Sequence, residues 1–288
     1  MTDKPVLAVI GGSGLYTMPG LEDLQEINVQ TPFGAPSSPI LLGTLEGRRI
    51  AFLARHGHGH TISPSEVNYR ANIYALKSLG VRFVLAVSAC GSLCEDYEPG
   101  HRVIPDQLID FTRGRRTSFF EKGLVVHVGA ADPFCQQFNE QVYSACQHTS
   151  KETAHLGGSY ITVEGPRFST KAESNLYRSW DISIIGMTTS PEAFLAREAV
   201  MHYSVLANVT DYDVWHEEPV SVDMVMATMQ QNRLAAQEAI RNLANNFSTD
   251  QTCACEDALA NAFISDLDQL PKEISQRLGI LIDKYSKE

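Results

Sequence analysis

The apolar positions of this chain fall into short continuous runs that stop at clusters of small and polar residues. Residues 5–10 (PVLAVI) run into Gly11-Gly12-Ser13-Gly14, the pattern of a buried strand ending in a tight turn. Residues 40–45 and 49–54 are β-rich runs on either side of Glu46-Gly47-Arg48 and predict a hairpin. Within 66–79, Tyr69, Ile73, Leu76 and Leu79 recur at helical spacing, and Gly80 supplies the stop. Residues 82–87 form another strand-like run, followed by the small residues Ser88-Ala89-Cys90-Gly91-Ser92. Further strand runs at 101–109, 159–163, 181–185 and 203–209 alternate with helical patterns near 134–148, 170–180 and 191–201. Thr170 and Glu173 make a capping box, and Ser190-Pro191-Glu192 reads as an N-cap, a first-turn proline and an early acid. One long helical pattern covers 221–245, and two short helices are expected around 256–263 and 271–285.

Alternating strands and helices predict an α/β fold, a single domain with a mixed central β-sheet flanked by helices. Residues 246–252 (NFSTDQT) are the only linker-like stretch. The roughly 40 residues beyond them are too few for a core of their own. Residues 1–288 are therefore read as one domain with a helical C-terminal extension from about 250.

Composition narrows the partners. With 23 Lys+Arg against 34 Asp+Glu, the 288 residues carry a net charge of −11, which repels phosphate backbones and anionic lipid. Nucleic acid and membrane surfaces are excluded as partners, and an anionic ligand must be captured by a few local donors. No apolar stretch approaches the ~18 residues of a membrane helix, and no secretory leader is legible, so a cytoplasmic protein is expected. The 6 cysteines include no CxxC.

The candidate chemistry lies where strands end. Gly11–Gly14 fails the dinucleotide fingerprint, having Thr17 where a glycine is needed, and fails the P-loop, but its backbone can face an anion. Arg55 and His56 open ARHGHGH at 54–60, where a guanidinium fork and an imidazole suit phosphate. Its alternating histidines lack the carboxylates or thiolates of a usual metal site, so no metal is expected. Ser88, Ala89 and Thr188 follow two other strands. In open α/β sheets ligands bind outside the carboxyl ends of strands, so these groups converge on one oxyanion, with phosphate the natural choice. Asp211 and Asp213 follow the last strand and serve either a general-acid and recognition role or a turn. Cys253-Ala254-Cys255 reads as ordinary thiols, with a redox pair as the alternative.

Taken together, GGSGLY (11–16), ARHGHGH (54–60), ACGSL (89–93), VEGPRFST (163–170), GMTTSPEAFLAREA (186–199) and TDYDVW (210–215) resemble the trimeric purine nucleoside phosphorylases. The resemblance is collinear from about residue 5 to 245 and is closest to the branch acting on 5′-methylthioadenosine. It implies phosphorolysis of an N-glycosidic bond, giving adenine and 5-methylthioribose 1-phosphate, with inorganic phosphate as co-substrate and no cofactor. It places Ser13, Arg55, His56, Ser88, Ala89 and Thr188 around phosphate, Met187 against the ribose, Phe168 and Ser169 against the base, and Asp211 and Asp213 at the base edge. Val222, Val225 and Met226 would face the methylthio group, and His127 would reach a neighbouring subunit's site in a homotrimer or a dimer of trimers. Gly186 stands where animal members carry Asn. Cys253 and Cys255 resemble an archaeal CxC element but lack its partner cysteines, so the full disulfide framework is not expected. The rival readings are a 6-oxopurine or 5′-methylthioinosine phosphorylase, a nucleoside hydrolase and a non-catalytic nucleoside-binding protein on the same fold.

Overall fold

A computed structural model describes residues 4–149, 153–216, 222–250 and 252–286. Its spine is a run of parallel strands: β1 (Leu7–Gly11) lies between β4 (Arg48–Ala54) and β5 (Phe83–Ser92), and β5 also pairs with β11 (His202–Asp211). The predicted hairpin forms, with β3 (Ile40–Leu45) antiparallel to β4. The far end of β5 pairs antiparallel with β10 (Ile184–Gly186), which continues through β9 (Ser159–Val163) to β7 (Gln107–Phe111). The sheet is therefore mixed, and it divides at the carboxyl half of β5.

Side chains alternate across this sheet as the pleat requires. Leu7 and Val9 enter one apolar cluster, Ala8 and Ile10 the other. On the first side lie α2 (Gln136–Gln147), through Phe138 and Val142, and α5 (Val222–Asn246), through Ala236 and Ile240. On the second lie α1 (Tyr69–Ser78), through Ile73 and Leu76, and α4 (Thr189–Glu198), through Leu195 and Ala196. The extension packs on that second face with Leu259, Ala262, Leu278 and Leu281, so it has no separate core.

Several local expectations change. The small residues 88–92 are the end of β5, not a loop, so Ser88 and Ala89 are held on a strand. The run 101–109 breaks at Pro105, which has no N–H to donate, into β6 (Arg102–Ile104) and β7. Asn68 caps α1 by accepting from the Ala71 N–H at 3.2 Å, so that helix starts at Tyr69, and Glu66 instead closes a turn onto Ser63. The capping box on α3 (Lys171–Ser179) forms as read. Ser190 is extended (φ −100°, ψ 137°) ahead of the regular turns of α4, as its reading as a cap requires. Two strands escaped the pattern: β2 (Glu22–Ile27), an exposed polar edge paired only with β3, and the three-residue β8 (Ala154–Leu156). Around 256–263 there is a 3-10 turn at Ala254–Asp257 in place of a helix, and in 271–285 the α-helix is confined to α6 (Lys272–Leu278). Among the described residues no helix is long and apolar enough to cross a membrane.

Candidate active site

The carboxyl ends of β1, β4, β5 and β11 all point the same way, and a cavity of about 260 Å³ opens there. Its lining includes Arg55, His56, Ser88, Ala89, Phe168, Ser169, Met187, Thr188, Asp211, Asp213 and Val225. Residues far apart in the chain, named from the sequence for one ligand, thus share one wall. The exceptions matter. His127 is exposed and is not part of the lining; its N–H bonds the Ala262 carbonyl. Met226 is 59% exposed and also lies outside it, whereas Val225 is part of the lining. The side chains of Ser13 and Val222 lie outside the described residues, although Gly12 borders the cavity.

Arg55 does not present a free bidentate fork, contrary to expectation. Its Nε and Nη2 each donate to the Glu192 carboxylate at 2.9 Å, and Nη1 donates to the Val87 carbonyl at 3.1 Å. Arg55 is 2% exposed and Glu192 fully buried. Burial disfavours the guanidinium charge and Glu192 restores it, so Arg55 remains a cation. Nη2 also donates to the Ile10 carbonyl at 3.5 Å, so of the five N–H groups one, on Nη1, is left for a ligand. Tyr203 Oη also donates to Glu192, at 2.8 Å, which completes a buried polar triad.

His56 is likewise constrained. Its Nδ1 lies 2.8 Å from the Ile62 carbonyl, which can only accept, so the proton sits on Nδ1. Burial first, and the Arg55 charge second, lower its pKa to about 4. At neutral pH the ring is therefore uncharged, and Nε2 offers a lone pair. The second donor that the sequence suggested is an acceptor instead, suited to a phosphate that carries a proton.

Ser88 Oγ, Thr189 Oγ1 and Tyr160 Oη cluster together. None of the three closes a well-aligned hydrogen bond within the chain, although all are buried. Of the three, Ser88 lines the cavity, so its hydroxyl is the one that a polar ligand there can engage. Thr188 lines the cavity two residues ahead of the extended Ser190, and its side chain makes no cap bond.

The two aspartates differ. Asp211 accepts from Thr210 Oγ1 at 2.7 Å through Oδ2 and from the Asp213 N–H at 2.8 Å through Oδ1. Asp213 holds a left-handed backbone (φ +50°), and its Oδ2 is buried without a partner. Burial raises both carboxyl pKa values, and for Asp213 the neighbouring Asp211 charge raises it further. Asp211 thus fixes the turn that aims Asp213, and Asp213 holds the unsatisfied oxygen. Gly91 keeps this corner open: a Cβ there would lie 3.0 Å from Asp211 Oδ1 and 3.3 Å from Asp213 Cβ.

Sequence reasoning missed the scaffold of this site. Glu192 was legible only as an early helix acid, although its place among Pro191, Ala193, Phe194 and Leu195 on a buried helix is a signal that it has a partner. Arg115 left no signal in the polar run around it. It donates to the Met187 and Ser190 carbonyls, each at 2.8 Å, and pairs with Glu164 at 2.9 Å, bracing the loop that carries Met187 and Thr188.

Gly186 has a physical reason. A Cβ there would overlap the Tyr160 hydroxyl and lie 2.8 Å from its Cζ, and Tyr160 is fully buried. Gly186→Ala should therefore destabilise the protein by about 1–3 kcal/mol in urea unfolding, as overpacking does, and lower turnover as well. Wild-type stability in that variant would mean that Tyr160 moves freely, which its burial argues against.

The fold class and this cavity are those of an α/β enzyme acting on a small polar molecule. The chain belongs to the phosphorylase superfamily, whose family model matches residues 6–245. It is 51% identical over 285 residues to an S-methyl-5′-thioadenosine phosphorylase of Geobacter sulfurreducens, covering 98% of this chain and 99% of that protein. A methylthioadenosine phosphorylase from an antarctic soil metagenomic library superposes with a TM-score of 0.93 at 44% identity, over 97% of this chain and 99% of the other. A variant of the adenosine/methylthioadenosine phosphorylase of Schistosoma mansoni, solved in complex with methylthioadenosine, matches with a TM-score of 0.80 at 34% identity, over 89% and 96%.

Proposed function

We propose that this chain cleaves 5′-methylthioadenosine with inorganic phosphate, giving adenine and 5-methylthioribose 1-phosphate. The observation that carries this reading is the pairing, in one cavity that Arg55 also lines, of the unsatisfied Ser88 hydroxyl with a buried, unsatisfied carboxyl oxygen on Asp213. Bond cleavage makes the ribose cationic and the purine anionic. Phosphate against the ribose stabilises the first, and a proton delivered to purine N7 stabilises the second. Arg55, His56, Ser88, Ala89, Thr188 and Ser13 are assigned to phosphate, Met187 to the ribose, and Phe168 and Ser169 to the base. Asp211 and Asp213 are assigned to the base edge. Their raised pKa values suit a carboxyl group that holds a proton for N7, a role typically worth ~10²–10⁴-fold. Phosphate itself is the nucleophile, so Cys90, buried in the lining with its thiol pKa pushed up, has no part in attack. The reaction calls for no cofactor. The whole chain, 1–288, is assigned to one phosphorylase domain carrying a helical extension, in a cytoplasmic enzyme. A turnover panel of methylthioadenosine, adenosine, inosine and methylthioinosine tests the substrate; a preference for inosine would place the chain in the 6-oxopurine branch.

The 5′ pocket is assigned to Val222, Val225 and Met226, with His127 supplied by a neighbouring subunit of a homotrimer or a dimer of trimers. The exposure of Met226 and His127 in a single chain is what such sharing requires. Light scattering should give a mass that is a multiple of three chains, and a fully active monomer would contradict the shared site. Val225 offers a 5′-hydroxyl no partner, and an apolar pocket rejects an added hydroxyl by ~10²-fold at best. Adenosine should be a real but poorer substrate, and equal kcat/KM for the two nucleosides would show a wetter pocket.

A further inference from the structure

At the opposite end of β11 from the aspartates, the fold assembles a second cluster that the reaction does not use. His202, the first residue of β11, is fully buried, and three thiols surround its ring. Cys135 Sγ and Cys253 Sγ each lie 3.3 Å from His202 Nδ1 and 3.5 Å from one another. Cys255 completes the group, and all four ligand atoms fall within 4.8 Å of one another. The four come from three separate parts of the chain: the start of α2, the start of β11 and the C-terminal extension.

We propose that Cys135, His202, Cys253 and Cys255 bind one divalent transition metal of the zinc class as a structural Cys₃His site. A tetrahedral centre with metal–sulfur bonds of about 2.3 Å and metal–nitrogen bonds of about 2.0 Å holds its ligand atoms about 3.5–3.8 Å apart. The separations observed, from 3.3 Å to at most 4.8 Å, bracket that range, and Cys253 and Cys255 flank the start of a 3-10 turn that can close by the remaining ångström or less.

The histidine is prepared for this role. Two thiols lie equally close to Nδ1, and a lone pair there accepts from either or binds a metal. With the proton on Nε2, that nitrogen donates to Glu256 Oε1 at 3.4 Å, and Nδ1 presents a lone pair to the cluster. A carboxylate behind a histidine in this way fixes the tautomer and ring orientation of a metal ligand. The ring is held further by stacking on Phe83 at 4.2 Å between centroids. Glu256 is in turn paired with Arg82, so the chain metal–His202–Glu256–Arg82 is closed by a cation.

Charge and access fit as well. Three thiolates and a dication leave one net negative charge, and Arg197 Nη1 lies 4.0 Å from Cys255 Sγ. The thiols release their three protons to solvent as the metal enters. Entry is from the 460 Å³ cavity that Cys135, Cys253, Cys255 and Arg197 line. The sequence reading weighed a metal only at the alternating histidines of 54–60 and expected none; the four ligands here share no short motif beyond Cys253-Ala254-Cys255.

A bound metal would tie the C-terminal extension to the sheet, since the extension contributes two of the four ligands. The test uses the full chain purified under reductant and argon, stripped with a chelator and titrated with cobalt(II), then zinc(II). Cobalt should bind with a stoichiometry of about one, showing thiolate charge-transfer and tetrahedral d–d bands that zinc displaces. Cys253→Ser and Cys255→Ser should each lose the charge-transfer intensity while retaining basal turnover, and Glu256→Gln should weaken metal binding about 10–100-fold. Chelation should lower Tm and make the extension open to protease. Weak octahedral cobalt absorption in the wild-type protein would overturn the proposal. So would a mass 2 Da low, marking a disulfide among these cysteines in protein kept under argon.

Discussion

Replacing Arg55 with Met should lower the free energy of unfolding by about 3–5 kcal/mol, because it strands the Glu192 carboxylate in a site with no access to water. The sequence placed Arg55 in a loop as a phosphate ligand, and on that view its loss would cost binding and spare the fold. The geometry reverses the order. Two of the three guanidinium nitrogens are committed to Glu192, and the third is shared with the Val87 carbonyl. The double variant Arg55→Met with Glu192→Gln should recover much of the lost stability, since the amide oxygen still accepts from Tyr203 Oη. It should not recover phosphate use. Urea unfolding and the KM for phosphate, measured on both variants, separate the two effects. A single Arg55→Met variant as stable as the wild type would show that the ion pair is not what holds this residue.

The second large effect concerns the choice of base. Asp211→Asn combined with Asp213→Ala should shift preference from 6-aminopurine toward 6-oxopurine nucleosides. An ionised carboxylate only accepts hydrogen bonds, whereas the Asn amide also donates, and a 6-oxo group needs a donor. Acceptor opposed to acceptor in a dry pocket costs ~1–3 kcal/mol, or about tenfold to a hundredfold in kcat/KM. The structure sharpens the reading. Asp213→Ala alone removes the unsatisfied oxygen and should abolish most adenine specificity. Asp211→Asn alone keeps an oxygen to accept the Asp213 N–H that sets the turn. If the double variant keeps the wild-type order of substrates, the aspartates do not read the base edge.

How much of this was legible in the sequence follows from what each residue contributes. The strands of the spine are buried on both faces, so residues 5–10, 82–87 and 203–209 announce themselves as predominantly apolar runs. Edge strand β2 buries almost nothing and gives no such signal. The boundary of β5 was misplaced because Ser88-Ala89-Cys90-Gly91-Ser92 has the composition of a loop; tertiary pairing with β11 and β10 keeps it extended. Most of the cavity-lining residues could be named in advance because each lies at a strand end. Their hydrogen-bond states could not, because Glu192 is 137 residues from Arg55 and Ile62 takes up the His56 proton. Cys135 and His202 gave no metal signal for the same reason: what unites them with Cys253 and Cys255 is the packing of the extension.

The most direct test of the central claim follows adenine release from methylthioadenosine by the purified protein, with and without added phosphate, while phosphorus NMR reports the sugar product. The account predicts that release requires phosphate and that each adenine is matched by one 5-methylthioribose 1-phosphate. Adenine release at the same rate in phosphate-free buffer, with no sugar phosphate formed, would make the protein a hydrolase and contradict it.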